Sequence, residues 1–263
     1  MTPHHDSEPH PYAQELLEAY RTKRAVAPLS ERDPGLTLDD AYAIQLDQVA
    51  QWQADGDTVK GYKVGLTSQA MQRQLGVTTP DFGHLTTSMF HLDRNPIATA
   101  TFLQPKVEPE IAFVLGRDLA GPGVTVAEAI RAVDFVLPAL ELIDSRIENW
   151  RIGLIDTVAD NASSGGLVLG STPTRLDAVD LAAVGCNLRL DGQVIATGAG
   201  SAVLGSPINA LVWLTNTLGR RGIAFQAGQV ILPGSVTAAY PVKAGSVVTA
   251  EFAGLGTATA VFV

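Results

Sequence analysis

The stretch KVEPEIAFVLG, residues 106–116, constrains the fold of this chain more than any other. Ile111, Ala112, Phe113, Val114 and Leu115 form an unbroken apolar run, as in a buried strand. Residues two apart on a strand share a face. Glu108 and Glu110 therefore project together, and Pro109 faces the other way. Two carboxylates side by side repel each other. Near a buried surface they are costly unless something positive lies between them.

With 263 residues, 46% hydrophobic and 17% charged, the chain can bury a sizeable core as one large domain or two small ones. Its pattern changes along its length. Residues 1–11 are polar and contain His4, His5 and His10, which reads as a solvated tail with metal binding as the alternative. Residues 11–55 read as helical. Leu38, Tyr42, Leu46 and Val49 mark one helix face, and Thr37 with Asp40 forms a capping-box pattern. From Val59 strands dominate, so the chain reads as α+β, with a tail and helical part over 1–58 and a β-rich part over 59–263. Asp191-Gly192 predicts a hairpin turn, and SVVTAEFAG and GTATAVFV predict a C-terminal strand pair. Two helices interrupt the strands. One starts at Thr125, with Glu128 completing T-x-x-E and Val126, Ile130 and Val133 on one face. The other starts at Ser206-Pro207 and runs to about Leu218.

A formal net charge of -9 argues against a nucleic-acid surface and gives no sign of an anionic-membrane binder. The single cysteine, Cys186, excludes an intramolecular disulfide framework and a cysteine-rich zinc site. No run reaches the roughly 18 apolar residues of a membrane span. The N-terminus lacks the basic start and apolar core of a signal peptide. These features predict a soluble cytoplasmic protein. The chain has no G-x-S-x-G elbow, P-loop or G-x-G-x-x-G.

A second apolar run, LPALELID, residues 137–144, carries one interior carboxylate, Glu141. Three carboxylates meeting at one point make a hard-oxygen site, suited to Mg²⁺, Mn²⁺ or Ca²⁺ rather than zinc. The alternative is pairing with a cation such as Lys106, Arg117 or Arg146. GYKVGLTS sets Lys63 inside a strand-like run, where it either snorkels or faces a site. DFGHL places Asp81 before an aromatic residue and a glycine. ADNASSGGLVLG, residues 159–170, gathers Asp160, Asn161, Ser163 and Ser164 ahead of another apolar run. It is either an ordinary turn or a set of hydroxyl and N–H donors for an anion.

In order, GYKVGLTSQAMQRQLGV, PDFGHL, KVEPEIAFVL, ALELIDSRIENW, DTVADNASSGGLVLG and LGSPINALVWLTNTL resemble the 2-keto-4-pentenoate (2-hydroxypenta-2,4-dienoate) hydratases of the fumarylacetoacetate hydrolase superfamily. The resemblance runs from about residue 12 to the end. It implies a β-rich mixed barrel-like roll, homo-oligomeric assembly and a divalent metal, Mg²⁺ or Mn²⁺, on Glu108, Glu110 and Glu141. The implied reaction, in ring meta-cleavage catabolism, adds water to 2-hydroxypenta-2,4-dienoate to give 4-hydroxy-2-oxopentanoate, with a pathway aldolase as neighbour. Lys63 and Asp81 match the positions of the proton-transfer groups, and Ser163 that of a donor to the substrate carboxylate. A lysine beside a metal is expected to have a lowered pKa. The rivals on the same fold are a 4-oxalocrotonate decarboxylase, a hydratase of a longer 2-oxo-diacid, which would need an extra cation for its distal carboxylate, and a C–C bond hydrolase. For the last, neither His84 nor His91 sits in a recognisable catalytic context. A non-enzymatic binding protein is the rival from another class.

Overall fold

The computed structural model describes residues 9–68, 72, 77 and 79–263. His4, His5 and most of the segment QAMQRQLGV fall outside these residues. Helices Pro11–Thr22, Leu29–Arg32 and Leu38–Ala54 come first. The strands follow as β1 (Val59–Gly65), β2 (Asp81–Thr86), β3 (Phe90–Leu92), β4 (Pro96–Ile97), β5 (Lys106–Leu115), β6 (Val133–Ile143), β7 (Ser164–Leu169), β8 (Gly185–Leu190), β9 (Gln193–Ala199), β10 (Val230–Leu232), β11 (Tyr240–Pro241), β12 (Val247–Phe252) and β13 (Gly256–Phe262).

The larger sheet has the order β2-β1-β10-β5-β6-β7-β3, with β11 also paired to β5, and is curled into a half-barrel. This agrees with the expected α+β chain and its barrel-like roll. The smaller sheet has the order β4-β13-β12-β8-β9. At the centre of the larger sheet β5 and β6 run antiparallel, with Glu108 opposite Glu141. Apolar neighbours on both strands bury this pair of long strands: Val107, Ile111, Phe113, Leu140 and Leu142 are all inaccessible to solvent. One continuous core includes these residues, the N-terminal helices through Leu16, Leu29 and Ile44, and the smaller sheet through Leu188, Val248 and Phe262.

The local signals explain most element ends. Thr37 and Asp40 form the expected reciprocal cap of helix Leu38–Ala54, and Thr125 and Glu128 that of helix Val126–Ala132. Asp191 and Gly192 both have positive φ, as a primed turn between β8 and β9 requires. His10 belongs to the first helix rather than to a free tail. Its Nδ1 accepts from the Tyr12 N–H at 3.1 Å and caps helix Pro11–Thr22.

Three expectations need correction. The inward face of helix Leu38–Ala54 is Ala41, Tyr42, Ile44, Gln45, Gln48 and Val49, while Leu38 and Leu46 are exposed. The face meets backbone carbonyls, so it carries amides: Gln45 Nε2 donates to the Val158 and Phe82 carbonyls, and Gln48 Nε2 to that of Ala159. Helix Val126–Ala132 buries Ala129 and Ala132 and leaves Val126 and Ile130 exposed. It packs against helix Pro207–Gly219, where small residues allow close approach. Ser206 stands at the start of helix Pro207–Gly219 without a side-chain capping bond, so Pro207 is the operative start signal.

Candidate active site

The β5–β6 register brings the three predicted carboxylates together. One oxygen from each of Glu108, Glu110 and Glu141 lies within 4.8 Å of the others. Among the described residues, no other group of three His, Cys, Asp or Glu side chains converges in this way. Glu110 and Glu141 are buried and Glu108 is partly so. Glu110 Oε2 accepts from the Gly234 N–H at 2.7 Å. Glu110 Oε1 is buried without a hydrogen-bond donor, and Glu141 Oε1 has only the Lys63 ammonium near it, at 3.3 Å. Orphaned buried carboxylate oxygens are expensive, and an all-oxygen donor set suits a hard divalent ion. The residues therefore fit the metal that the sequence suggests. Lys106, Arg117 and Arg146 do not form ion pairs with these glutamates. Arg146 is taken by Asp160, with a second contact to Asp144.

Lys63, on β1, is the cation that reaches the cluster. Its Nζ stands 3.3 Å from Glu141 Oε1 and donates to the Ala162 carbonyl at 2.9 Å. Asp81, the first residue of β2, pairs in register with Gly65. A Cβ on Gly65 would stand 2.1 Å from Asp81 Oδ1 and 3.4 Å from Lys63 Nζ, so both groups converge over a residue that must be glycine. Asp81 Oδ1 is buried without a donor.

Burial raises Glu108 to about 7, helped by the charge of Glu141 and opposed by Lys63. Burial and the neighbouring Glu141 and Glu108 raise Glu110 well above the carboxylate range. Burial also raises Glu141 and Asp81, against the pull of Lys63. Lys63 is acted on in both directions. Burial pulls it down, but Glu141, Asp81, Glu108 and Glu110 together outweigh that and raise it.

The NASSG segment closes the site from the other side. Asn161, Ala162 and Ser163 all have φ near +50°, a costly left-handed run for residues with a side chain. Surrounding groups over-determine it. Asn161 Oδ1 accepts from the His84 N–H at 2.8 Å, and its Nδ2 donates to the His84 carbonyl at 2.9 Å. Ser163 is buried, with its hydroxyl 3.3 Å from that of Thr157. His84 is itself buried, with Nδ1 3.0 Å from Gln45 Oε1, and burial pushes its pKa down to about 4. It is a neutral residue whose backbone N–H and carbonyl brace Asn161.

A pocket of about 200 Å³ opens onto these groups. Lys63, Asp81, Glu108 and Ser163 line it, together with Thr157, Lys106 and Trp150. Lys63, Asp81, Glu108, Glu110, Glu141 and Ser163 thus lie at one site. Thr157 and Trp150 escaped sequence reasoning. Thr157 sits in an undistinguished helical stretch, and Trp150 follows a charged segment that reads as surface.

The fold and this carboxylate-lined pocket define an enzyme-like α+β protein with a hard-cation centre beside a lysine–aspartate pair. The sequence profile of the fumarylacetoacetate (FAA) hydrolase C-terminal family matches residues 50–263. The 2-keto-4-pentenoate hydratase of Paraburkholderia xenovorans (strain LB400) is 46% identical over 256 residues, covering 97% of this chain and 94% of that protein. The 2-hydroxyhexa-2,4-dienoate hydratase of Comamonas testosteroni is 44% identical over 95% of both chains. Among solved structures, 4-oxalocrotonate decarboxylase from Pseudomonas putida G7, complexed with magnesium and adipate, superposes with a TM-score of 0.93, at 36% identity over 96% of both chains. The chain belongs to the 2-keto-4-pentenoate hydratase family of the fumarylacetoacetate hydrolase superfamily.

Proposed function

We propose that this protein is a metal-dependent hydro-lyase that adds water to 2-hydroxypenta-2,4-dienoate, giving 4-hydroxy-2-oxopentanoate. The observation that carries the reading is the convergence of Glu108, Glu110 and Glu141 beside Lys63, in a chain 44–46% identical to hydratases of such dienoates. That identity exceeds the 36% shared with the decarboxylase, which supports hydration over loss of CO₂.

Glu108, Glu110 and Glu141 would hold Mg²⁺ or Mn²⁺. When bound, the ion would act as a Lewis acid on the substrate's C2 oxygen. Ketonisation places a proton on C5; water then adds at C4, and a second proton goes to C3. Lys63 and Asp81 would serve as the acid–base pair for these proton transfers. The Ala162 carbonyl and Glu141 aim the Lys63 ammonium, and Ser163 offers its hydroxyl to the substrate carboxylate. All these residues lie within 59–263, which supports treating that part as catalytic and 1–58 as an N-terminal tail and helical part. The reading extends to a homo-oligomer in the cytoplasm, working beside an aldolase that consumes the 4-hydroxy-2-oxo product in ring meta-cleavage catabolism.

The test is to supply freshly generated 2-hydroxypenta-2,4-dienoate with Mg²⁺ or Mn²⁺, following loss of dienol absorbance and product mass together. Gain of one water is the expected result. Inert dienoate, or release of CO₂ from 4-oxalocrotonate alone, would overturn the reading.

A further inference from the structure

We propose that Lys106, parked on Trp150, is the counter-charge that receives the substrate's head carboxylate next to the metal. The inference rests on the reading of the site given above, as one for a 2-oxo or 2-hydroxydienoic acid held at a divalent ion.

Three observations carry it. Lys106 opens β5 and shares a face with Glu108 and Glu110, because residues two apart on a strand point the same way. Both Lys106 and Glu108 line the pocket. Among the described residues, no oxygen accepts a hydrogen bond from the Lys106 ammonium. Its Nζ instead sits 4.0 Å from the centroid of the Trp150 ring. A ring face holds an ammonium without satisfying its three donors, so the group is free to turn to an arriving anion. Finally, Trp150 is built into place. Asn149 and Trp150 both have φ of +55°, and the indole Nε1 donates to the Gln104 carbonyl at 3.1 Å. Left-handed backbone at two successive residues with side chains persists only where surrounding structure enforces it, and it gathers at ligand clamps.

Charge balance says why such a group is needed. Three ligand carboxylates and Asp81 outweigh a divalent ion and Lys63 by one negative charge. An anionic substrate entering that site is repelled unless a further cation attends it. Of the described residues lining the pocket, Lys63 and Lys106 are the two with cationic side chains, and Lys63 is already engaged by Glu141 and the Ala162 carbonyl. A lysine that turns from the ring to a carboxylate supplies that charge where the substrate enters.

The experiment uses the full chain loaded with Mn²⁺ and probes it with oxalate, which carries the paired oxygens of a 2-oxo acid head and no tail. Calorimetry measures Mn²⁺ binding and then oxalate binding in wild type, Lys106→Met and Lys106→Arg. Lys106→Met keeps the apolar stem and removes the charge. The expected result is oxalate binding weakened ~10-fold or more in Lys106→Met, the scale of a lost charge-assisted hydrogen bond. Mn²⁺ binding should be unchanged or tighter, and Lys106→Arg should recover most of the oxalate affinity. Steady-state kinetics on the dienoate should show the loss in KM more than in kcat. Equal oxalate binding by wild type and Lys106→Met would overturn the assignment. So would a loss confined to a longer diacid such as 2-oxoadipate, since that would place Lys106 at the tail. A wild-type protein that takes up neither Mn²⁺ nor Mg²⁺ would instead overturn the underlying reading of the site.

Discussion

Glu108, Glu110 and Glu141 bind protons in the folded metal-free chain that they would release on unfolding, since burial raises all three from about 4.5 and takes Glu108 to about 7. A folded state that holds more protons loses stability as pH rises, here from about 4.5 through 7 and beyond. A divalent ion replaces those protons. The rise in Tm on adding Mg²⁺ should therefore be larger at about pH 8 than at about pH 5.5. Equal shifts at both would show that the carboxylates do not hold the ion. Removing Lys63 takes away a positioned proton-transfer group. Lys63→Ala should lower kcat by ~100-fold or more while metal affinity changes little. An unchanged kcat would reduce Lys63 to a packing residue. Ser163→Ala should raise KM for the dienoate by roughly ten- to a hundred-fold, the scale of a hydrogen bond to a charged group. Steady-state kinetics at saturating metal, with unaltered KM and kcat, would remove the hydroxyl from the site.

Two central strands and one strained loop set the geometry of these residues. Asn161 holds the loop through both backbone groups of His84, and that loop presents the Ala162 carbonyl to Lys63. Asn161→Ala leaves the buried His84 N–H and carbonyl unpaired, at about 1–3 kcal/mol each. Thermal unfolding should show a Tm lower by several degrees, and kcat should fall even though Asn161 touches no reacting atom. A variant with wild-type Tm and kcat would contradict the bracing role. The strands were legible in the sequence because a glutamate inside an apolar run is a conspicuous conflict, and period-two spacing fixes its face. Lys63, Asp81 and Ser163 owed their place to resemblance, since a lone lysine in a strand has several ordinary explanations. The bracing amides were not legible. Gln45 and Gln48 lie on a helix face whose apolar spacing pointed to Leu38 and Leu46, and only the carbonyls of Phe82, Val158 and Ala159 make glutamine the right inward residue. The charge around Lys63 was not legible for a related reason. Four carboxylates contribute to it, and sequence spacing does not show how many converge.

The helices before Val59 and the two sheets share one core, so the molecule divides by chemistry more cleanly than by packing. Leu16, Leu29, Tyr42 and Ile44 are buried in that core, and Gln45 and Gln48 brace the backbone that leads into the site loop. Residues 59–263 expressed alone should therefore be insoluble or loosely packed. Far- and near-ultraviolet circular dichroism would check this, and a native-like near-ultraviolet spectrum would contradict it. No described helix is long and apolar enough to cross a membrane. The measurement that bears most directly on the whole account is a Mg²⁺ or Mn²⁺ titration of the wild-type chain and of Glu141→Gln, with dienoate turnover followed in the same samples. The account predicts that hydration by the wild type appears as the ion binds and that Glu141→Gln, still folded, loses both affinity and turnover. Wild-type affinity and turnover in Glu141→Gln would contradict it.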